Sequence, residues 1–275
     1  DFVEQRTAHE VTILVTRNGG DVLVTAQVTD LNPGDTHTYD WSGSDNVLAD
    51  LDGNPANNTL LFNPAALDGR YYVQLKVTDS AGASETADLY FRVLEQLPEL
   101  DPTKDSNGNG IDDATEGFGD ANGNGIPDYL DAMPTDNVLP QDISVTGSYL
   151  LECEPGVLCR IGRFALMAEG GAQLLDSDLE TQPDLKVDNG YEPVGGIFDF
   201  EVRHLPLAGQ TIQIVLPQQA AIPVDAIYRK FRDGVWKDFV VNDNNQLHSA
   251  PGNPGFCPPP GDAQWEPGLI AGYLC

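Results

Sequence analysis

Positive charge is scarce in this chain. The 275 residues include 14 Lys and Arg against 43 Asp and Glu, which gives a formal net charge of −29 and a pI near 4.1. Proteins that bind nucleic acids or anionic membranes present basic patches to the phosphates. The composition therefore argues against both of these partners.

Catalytic motifs are also missing. The chain has four histidines, His9, His37, His204 and His248, and none accompanies a G-x-S-x-G or H-E-x-x-H pattern. Carboxylates are so numerous that a pair of them says little about glycosidase chemistry, which also needs a deep cleft. No set of residues supports catalysis, and we predict that the protein is not an enzyme.

Long apolar runs do not occur. No stretch of 18 apolar residues is present, so the sequence predicts no membrane span. The first ten residues, DFVEQRTAHE, lack the basic and apolar regions of a secretory signal, and we expect a mature form or an excised fragment.

Cysteine is rare but its spacing is informative. Cys153 lies close to Cys159 and Cys257 lies close to Cys275, and neither spacing is that of a zinc site. We predict two local disulfides, although four cysteines allow three connectivities and free buried thiols are the alternative. Disulfides require an oxidising compartment, which favours an extracellular or cell-surface location.

Acidic residues are most concentrated between Glu99 and Asn137, where ten carboxylates accompany the single cation Lys104. Two copies of D-x-[DN]-x-[DN]-G, each closed by a further carboxylate, begin at Asp105 and Asp120. Calcium takes six to eight oxygen ligands from such a loop, and the glycine at its sixth position permits a sharp turn. The alternative is a pair of Asn-, Gly- and Asp-rich turns without metal.

The calcium-loop template assigns a role to each position of the two repeats. Side-chain oxygens come from positions 1, 3 and 5, a backbone carbonyl from position 7, a direct or water-mediated ligand from position 9, and the closing carboxylate from position 12. The predicted ligands of the first repeat are Asp105, Asn107, Asn109, Ile111, Asp113 and Glu116, and those of the second are Asp120, Asn122, Asn124, Ile126, Asp128 and Asp131.

The spacing leaves no room for the long flanking helices of an EF-hand. The segment DANGNGIPDYLDAMPTDN instead resembles bacterial thrombospondin type 3 repeats, with Met133 where a cysteine often lies and Pro134 after it. The resemblance implies at least two calcium ions in a linker with little hydrophobic core. Further candidate ligands are Asp101, Asp112 and Asp136.

Residues 1–97 show short alternating strands separated by turn clusters, which is typical of an antiparallel immunoglobulin-like β-sandwich. We expect Trp41 and Tyr72 in its core. The stretches Tyr39-Asp-Trp41, Phe62-Asn-Pro64 and Gly69–Asp79 resemble a polycystic-kidney-disease (PKD) type domain, with YDWSGSD replacing the usual W-D-F-G-D-G. This resemblance implies a spacer or binding module of a bacterial surface protein.

Residues 138–275 again predict an all-β domain, an antiparallel β-sandwich. The predicted strands include ISVTGSYLLEC, RFALMAE, GGIFDFEVRHL, TIQIVLP, AIYRKF and VWKDFVV. The segments GIFDF, AIYRKF, SAPG and CPPPG resemble the choice-of-anchor U domain of bacterial surface proteins. Chains of that family continue beyond the position of Cys275, so we expect a longer natural protein.

Two tryptophans in the last domain, Trp236 and Trp265, are candidates for sugar binding, because flat rings stack on the apolar faces of sugars. Packing in a β-core is the alternative reading, especially for Trp236.

These observations predict two β domains, residues 1–97 and 138–275, joined by a calcium-binding linker at residues 98–137. We expect a secreted or cell-surface adhesin, spacer or fibre component whose partners are calcium and a surface glycan, a protein or further copies of itself. The alternative is a carbohydrate-binding accessory region of a longer secreted enzyme.

Overall fold

The computed structural model describes residues 14–30, 32, 34–45, 48, 57–144, 149–168, 170–182, 184–207 and 209–275. His9, the start of the predicted strand at residues 11–16, and part of the strand at 143–153 lie outside the described residues. The fold is all-β, with strands in several sheets and a few short helices. Within the described residues, no helix is both long enough and apolar enough to cross a membrane.

The chain divides into two compact units. One consists of Asp1–Asp101 with Phe118–Ala121, and the other of Pro102–Gly117 with Asn122–Cys275. Most of the acidic linker therefore belongs to the second unit. The finer division at residues 97 and 137 stays a prediction.

The described residues of the first unit form two sheets. Its strands are β1 Leu14–Thr16, β2 Val22–Thr25, β3 His37–Asp40, β4 Thr59–Phe62, β5 Gly69–Asp79 and β6 Ser84–Leu94. One sheet has the order β1-β6-β5-β3 and the other is formed by β2 and β4. The expectation of a purely antiparallel sandwich is wrong in one place, because β1 pairs with β6 in parallel. These strands are far apart in sequence, so no tight turn forces them to run in opposite directions.

Alternating side chains build the core between these two sheets. Phe62 is 2% exposed and its ring stacks on Phe91 at a centroid distance of 5.2 Å. Trp41 is buried in the same cluster, as predicted, and its indole N–H donates to the carbonyl of Asn57 at 3.0 Å. Tyr72 is only half-buried and lies outside this cluster, beside Tyr90. Residues that alternate with Tyr72 along β5 face the core instead.

The second unit has shorter strands in smaller sheets. They are β7 Val138–Pro140, β8 Leu150–Cys153, β9 Leu158–Ile161, β10 Gln173–Leu174, β11 Ile197–Phe198, β12 Phe200–Arg203, β13 Ile214–Val215, β14 Arg229–Arg232, β15 Val235–Asp238, β16 His248–Ser249 and β17 Glu266–Pro267. The described sheets are β13-β8-β7, β12-β9, β10-β11, β14-β15 and β16-β17. All of their pairings are antiparallel.

The described part of this unit includes three short α-helices: α1 Asp113–Glu116, α2 Arg163–Ala168 and α3 Asp176–Thr181. The prediction of a strand over RFALMAE is wrong, since its first six residues form α2. The half-buried carboxylate of Asp199 accepts hydrogen bonds from the backbone N–H groups of Phe164 at 2.7 Å and Ala165 at 3.0 Å. These contacts satisfy N–H groups that the first turn of a helix leaves without partners.

The cysteine pairing is confirmed. Cys153 is bonded to Cys159 and Cys257 to Cys275, with Cα atoms 6.2 and 5.7 Å apart. The first bridge links the last residue of β8 to the second residue of β9, which belong to different sheets, and the second links Cys275 to the Pro-rich loop that begins at Cys257.

Candidate functional site

The two acidic repeats have the same backbone conformation. The glycines at position 6, Gly110 and Gly125, both have φ of +91°, and those at position 4, Gly108 and Gly123, have φ of +76° and +74°. Residues with a Cβ rarely adopt this left-handed region. The matching glycine positions therefore produce two loops of one shape.

Side chains at positions 3, 5 and 12 converge in both repeats. In the first, the amide nitrogens of Asn107 and Asn109 donate to the carboxylate of Glu116 at 3.1 and 2.6 Å. In the second, those of Asn122 and Asn124 donate to Asp131, both at 2.9 Å. The structure thus brings together three of the side-chain positions that the calcium-loop template groups.

Backbone hydrogen bonds within each loop are also repeated. The side-chain oxygen at position 3 accepts from the N–H at position 5, at 3.0 Å for Asn109 and 3.1 Å for Asn124. The side-chain oxygen at position 5 accepts from the N–H at position 7, at 2.8 Å for both Ile111 and Ile126. Each loop is curled by its own asparagines.

Other predicted ligands of the first repeat organise the loop. Asp105 accepts hydrogen bonds from the backbone N–H groups of Gly108 at 2.7 Å and Gly110 at 2.8 Å. Asp113 is buried and accepts from both the N–H and the hydroxyl of Ser106, each at 2.7 Å. The sequence analysis did not predict this role of Ser106 as a hydrogen-bond donor to Asp113. The available signal was a hydroxyl residue directly after Asp105, the first residue of the repeat.

The candidates outside the template lie at different places. Asp112 caps α1 by accepting from the N–H and hydroxyl of Thr115. Asp101 and Asp136 have exposed side chains. Asp120 is buried and belongs to the first unit, whereas the second repeat from Asn122 onward belongs to the second unit.

The two repeats are hydrogen-bonded to each other within the second unit. The amide of Asn107 donates to the backbone carbonyls of Asp128 and Asp131, both at 3.0 Å. The N–H of Tyr129 donates to the carbonyl of Gly117 at 3.4 Å. Carboxylates of both repeats are thereby held in one region.

Burial changes the electrostatics of the closing carboxylate in the second repeat. Loss of solvent around Asp131 raises its pKa, and this outweighs the hydrogen bonds from the N–H of Met133 and the amides of Asn122 and Asn124, which lower it. The neighbouring carboxylate of Asp128 raises the pKa further. A nearby cation would favour the ionised form of such a group.

The donor atoms fit a hard cation. Glu116 and Asp131 offer carboxylate oxygens, and the four asparagines around them offer amide oxygens, the ligand types that calcium prefers. The same amide oxygens accept backbone hydrogen bonds within each loop, and the amide nitrogens donate to the carboxylates, so an ion would compete with both sets of hydrogen bonds.

A separate acidic cluster lies in the first unit. Carboxylate oxygens of Asp30, Asp35 and Asp79 lie within 4.8 Å of one another, and His37 contacts Asp30 at 2.9 Å. The pairing of β3 with β5 places His37 opposite Asp79. The hydrogen bond from the N–H of Asn32 lowers the pKa of Asp30. Sequence analysis missed this cluster because strand register, which was not known, brings its members together.

The aromatic candidates for sugar binding are half-buried. Trp236 packs on Phe231 at a centroid distance of 5.4 Å, and its indole N–H donates to the carbonyl of Lys186 at 2.6 Å. The indole N–H of Trp265 donates to the carbonyl of Pro259 at 3.0 Å. Both side chains thus have local structural contacts, and sugar binding stays a prediction.

Comparison of the chain with family models, with curated proteins and with solved structures finds no match. The resemblances to thrombospondin type 3 repeats, to PKD domains and to the choice-of-anchor U domain stay predictions from the motifs.

Proposed function

We propose that this chain is a non-enzymatic, secreted or cell-surface calcium-binding protein in which two acidic repeats hold calcium and fix the linker between β domains. The observation that carries the proposal is the equal arrangement of the repeats, with two asparagine amides on one closing carboxylate in each. The two disulfides support an oxidising, extracellular setting.

Calcium supplies the positive charge that the acidic linker lacks. The linker contains ten carboxylates between Glu99 and Asn137 against the single Lys104, so mutual repulsion opposes its compact form. Binding to the folded loops stabilises them by mass action. A flexible chain of this length would have an end-to-end distance on the order of 35 Å, and ordering it fixes the spacing of what it joins.

The expected role is that of an adhesin, spacer or fibre component. Extracellular calcium modules bind with dissociation constants of about 10⁻⁴ to 10⁻³ M, which suits surroundings with plentiful calcium. A linker that is stiff only in calcium would project a β domain away from a surface and soften when calcium is lost. The non-enzymatic assignment is part of this proposal.

Limited proteolysis with trypsin tests the proposal, because Lys104 is the only Lys or Arg at residues 98–137. The carbonyl of Lys104 accepts a hydrogen bond from the N–H of Asp113 at 2.8 Å, so cleavage there requires the first loop to open. We expect calcium to slow cleavage after Lys104 and a chelator to accelerate it. Glu116→Gln should remove the protection by calcium.

Magnesium at equal ionic strength is the control for general screening of charge. X-ray scattering with calcium and with chelator should differ in the same series. Identical cleavage rates and identical scattering profiles in the two conditions would show that calcium does not order the linker.

A further inference from the structure

The second repeat lies against the C-terminal strands. The carbonyl of Asn124 accepts a hydrogen bond from the N–H of Ile161, the last residue of β9, at 2.9 Å. Gly125 lies so close to the side chain of Ile161 that a Cβ added to this glycine would lie 2.9 Å from Cγ1 of Ile161. Ile126, the next residue, is 1% exposed. Residues 125 and 126 of this loop are therefore packed as tightly as residues of a hydrophobic core.

The chain that follows the second repeat is hydrogen-bonded to strands β8 and β9. The carbonyl of Asp136 accepts from the N–H of Cys159 at 2.7 Å, and that of Asn137 accepts from the N–H of Cys153 at 2.8 Å. The amide of Asn137 donates in return to the carbonyl of Cys153 at 2.9 Å. Both cysteines of the first disulfide therefore hold the end of the linker.

The first repeat has the same glycine conformations but a different environment at positions 6 and 7. Gly110 has the same φ of +91° as Gly125, yet nothing described lies within 4 Å of a Cβ built on it. Ile111, at the position of Ile126, is 47% exposed. At positions 6 and 7 the first repeat is thus solvated and the second is packed, although Asn107 and Asp113 of the first repeat are themselves buried.

We infer that the second repeat is a structural element of the C-terminal unit, so that calcium held there stabilises strands β8 and β9, whereas the first repeat orders only the linker. The calcium part of this inference rests on the proposed function. A loop that is already fixed by packing loses less entropy on binding, so the second site is the tighter of the two. Because calcium binds the folded site, its binding stabilises every segment that unfolds together with that site.

Two matched glycine substitutions test the coupling without calcium. Gly125→Ala and Gly110→Ala place the same Cβ at the same φ, but only the first pushes against Ile161. We expect amide hydrogen exchange of residues 150–161, measured on the full chain in chelator, to be about 10-fold faster in Gly125→Ala than in Gly110→Ala. Equal exchange in the two variants would overturn the coupling.

Two matched carboxylate substitutions test the calcium part. At a calcium concentration of roughly 100 times Kd, exchange of residues 150–161 that proceeds through unfolding should slow by about 100-fold in the wild type and in Glu116→Gln. In Asp131→Asn this protection should be lost. Protection that both variants lose equally would overturn the inference.

The two experiments separate the hypotheses. If calcium leaves wild-type exchange unchanged while the glycine variants differ as expected, the second repeat is part of the unit but the calcium function is wrong. If calcium protects the linker amides alone and the glycine variants are equal, calcium binding stands and the inference is wrong.

Discussion

The two units of this molecule are stabilised in different ways. In the first, two sheets enclose one apolar core, and the long strands β5 and β6 pair along ten successive residues from Gly69 to Thr78. In the second, the described strands have no more than four residues and form sheets of two or three. Two disulfides and several buried polar side chains, including Asn124, Asp131 and Gln141, accompany them.

The comparison shows which interactions stabilise a unit whose strands are short. A two-stranded pairing is marginally stable by itself and needs packing or cross-links to persist. The second unit has both disulfides and also packs its acidic loop against β9. We therefore expect the first unit to respond most to loss of apolar volume and the second to loss of covalent and polar contacts.

The largest expected effect is that of Phe62→Ala in the first unit. The ring of Phe62 is 2% exposed and stacks on Phe91, so its removal leaves a cavity and should lower the free energy of unfolding by about 3–5 kcal/mol. Urea denaturation, followed by hydrogen exchange in β5 and β6, measures this loss.

Leu61→Ala is the matched control on the same strand. Leu61 points to the opposite face of β4 and is 46% exposed, so its truncation should change stability by less than about 0.5 kcal/mol. Equal losses in the two variants would contradict the assignment of the two faces.

Removal of the disulfides should affect the second unit alone and by a smaller amount. Cys257 and Cys275 are 18 residues apart and Cys153 and Cys159 are 6 apart. Loop-closure entropy predicts losses of about 3 kcal/mol for the double Cys→Ser variant of the longer loop and about 2 kcal/mol for that of the shorter one. Hydrogen exchange at β14–β15 should accelerate while that at β5 and β6 stays unchanged.

A result in the opposite direction would weaken the contrast between the units. Faster exchange in β5 and β6 after loss of either bridge would mean that the first unit depends on the second for its stability.

Local pattern was sufficient for much of the fold. Alternation of apolar residues predicted β4, β5 and β6, and cysteine spacing predicted both bridges. The repeated D-x-N-x-N-G motif contains the asparagines that lie against Glu116 and Asp131, but their role as calcium ligands stays a prediction. In each case the interacting residues are close in sequence or follow one period.

Tertiary contacts account for what the sequence did not predict. The partner of the first turn of α2 is Asp199, which lies 35 residues beyond Phe164. The sequence could not show that Gly125 packs on Ile161 while Gly110 is in open space, because both motifs have glycine at that position. The parallel pairing of β1 with β6 joins the two ends of the first unit.

The smallest expected effect concerns the pH dependence of the second unit. Burial raises the pKa of Asp199, outweighing the hydrogen bonds from Ala165 and Phe164, and the nearby carboxylate of Glu201 raises it further. Because the unfolded chain then releases this proton at a lower pH than the folded chain, stability falls as pH rises from the ordinary pKa of Asp, about 3.9, to the raised value. Below that window the proton is bound in both states.

Asp199→Asn isolates this contribution, because asparagine keeps an oxygen for the N–H groups of Phe164 and Ala165 but does not ionise. Subtracting its unfolding free energy from that of the wild type at each pH removes the titration of the other carboxylates. The wild type should lose stability relative to Asp199→Asn as pH rises through the window and then level off. A difference that stays constant with pH, or that grows in favour of the wild type, would mean that the charged carboxylate stabilises the start of α2 more than its burial disfavours it.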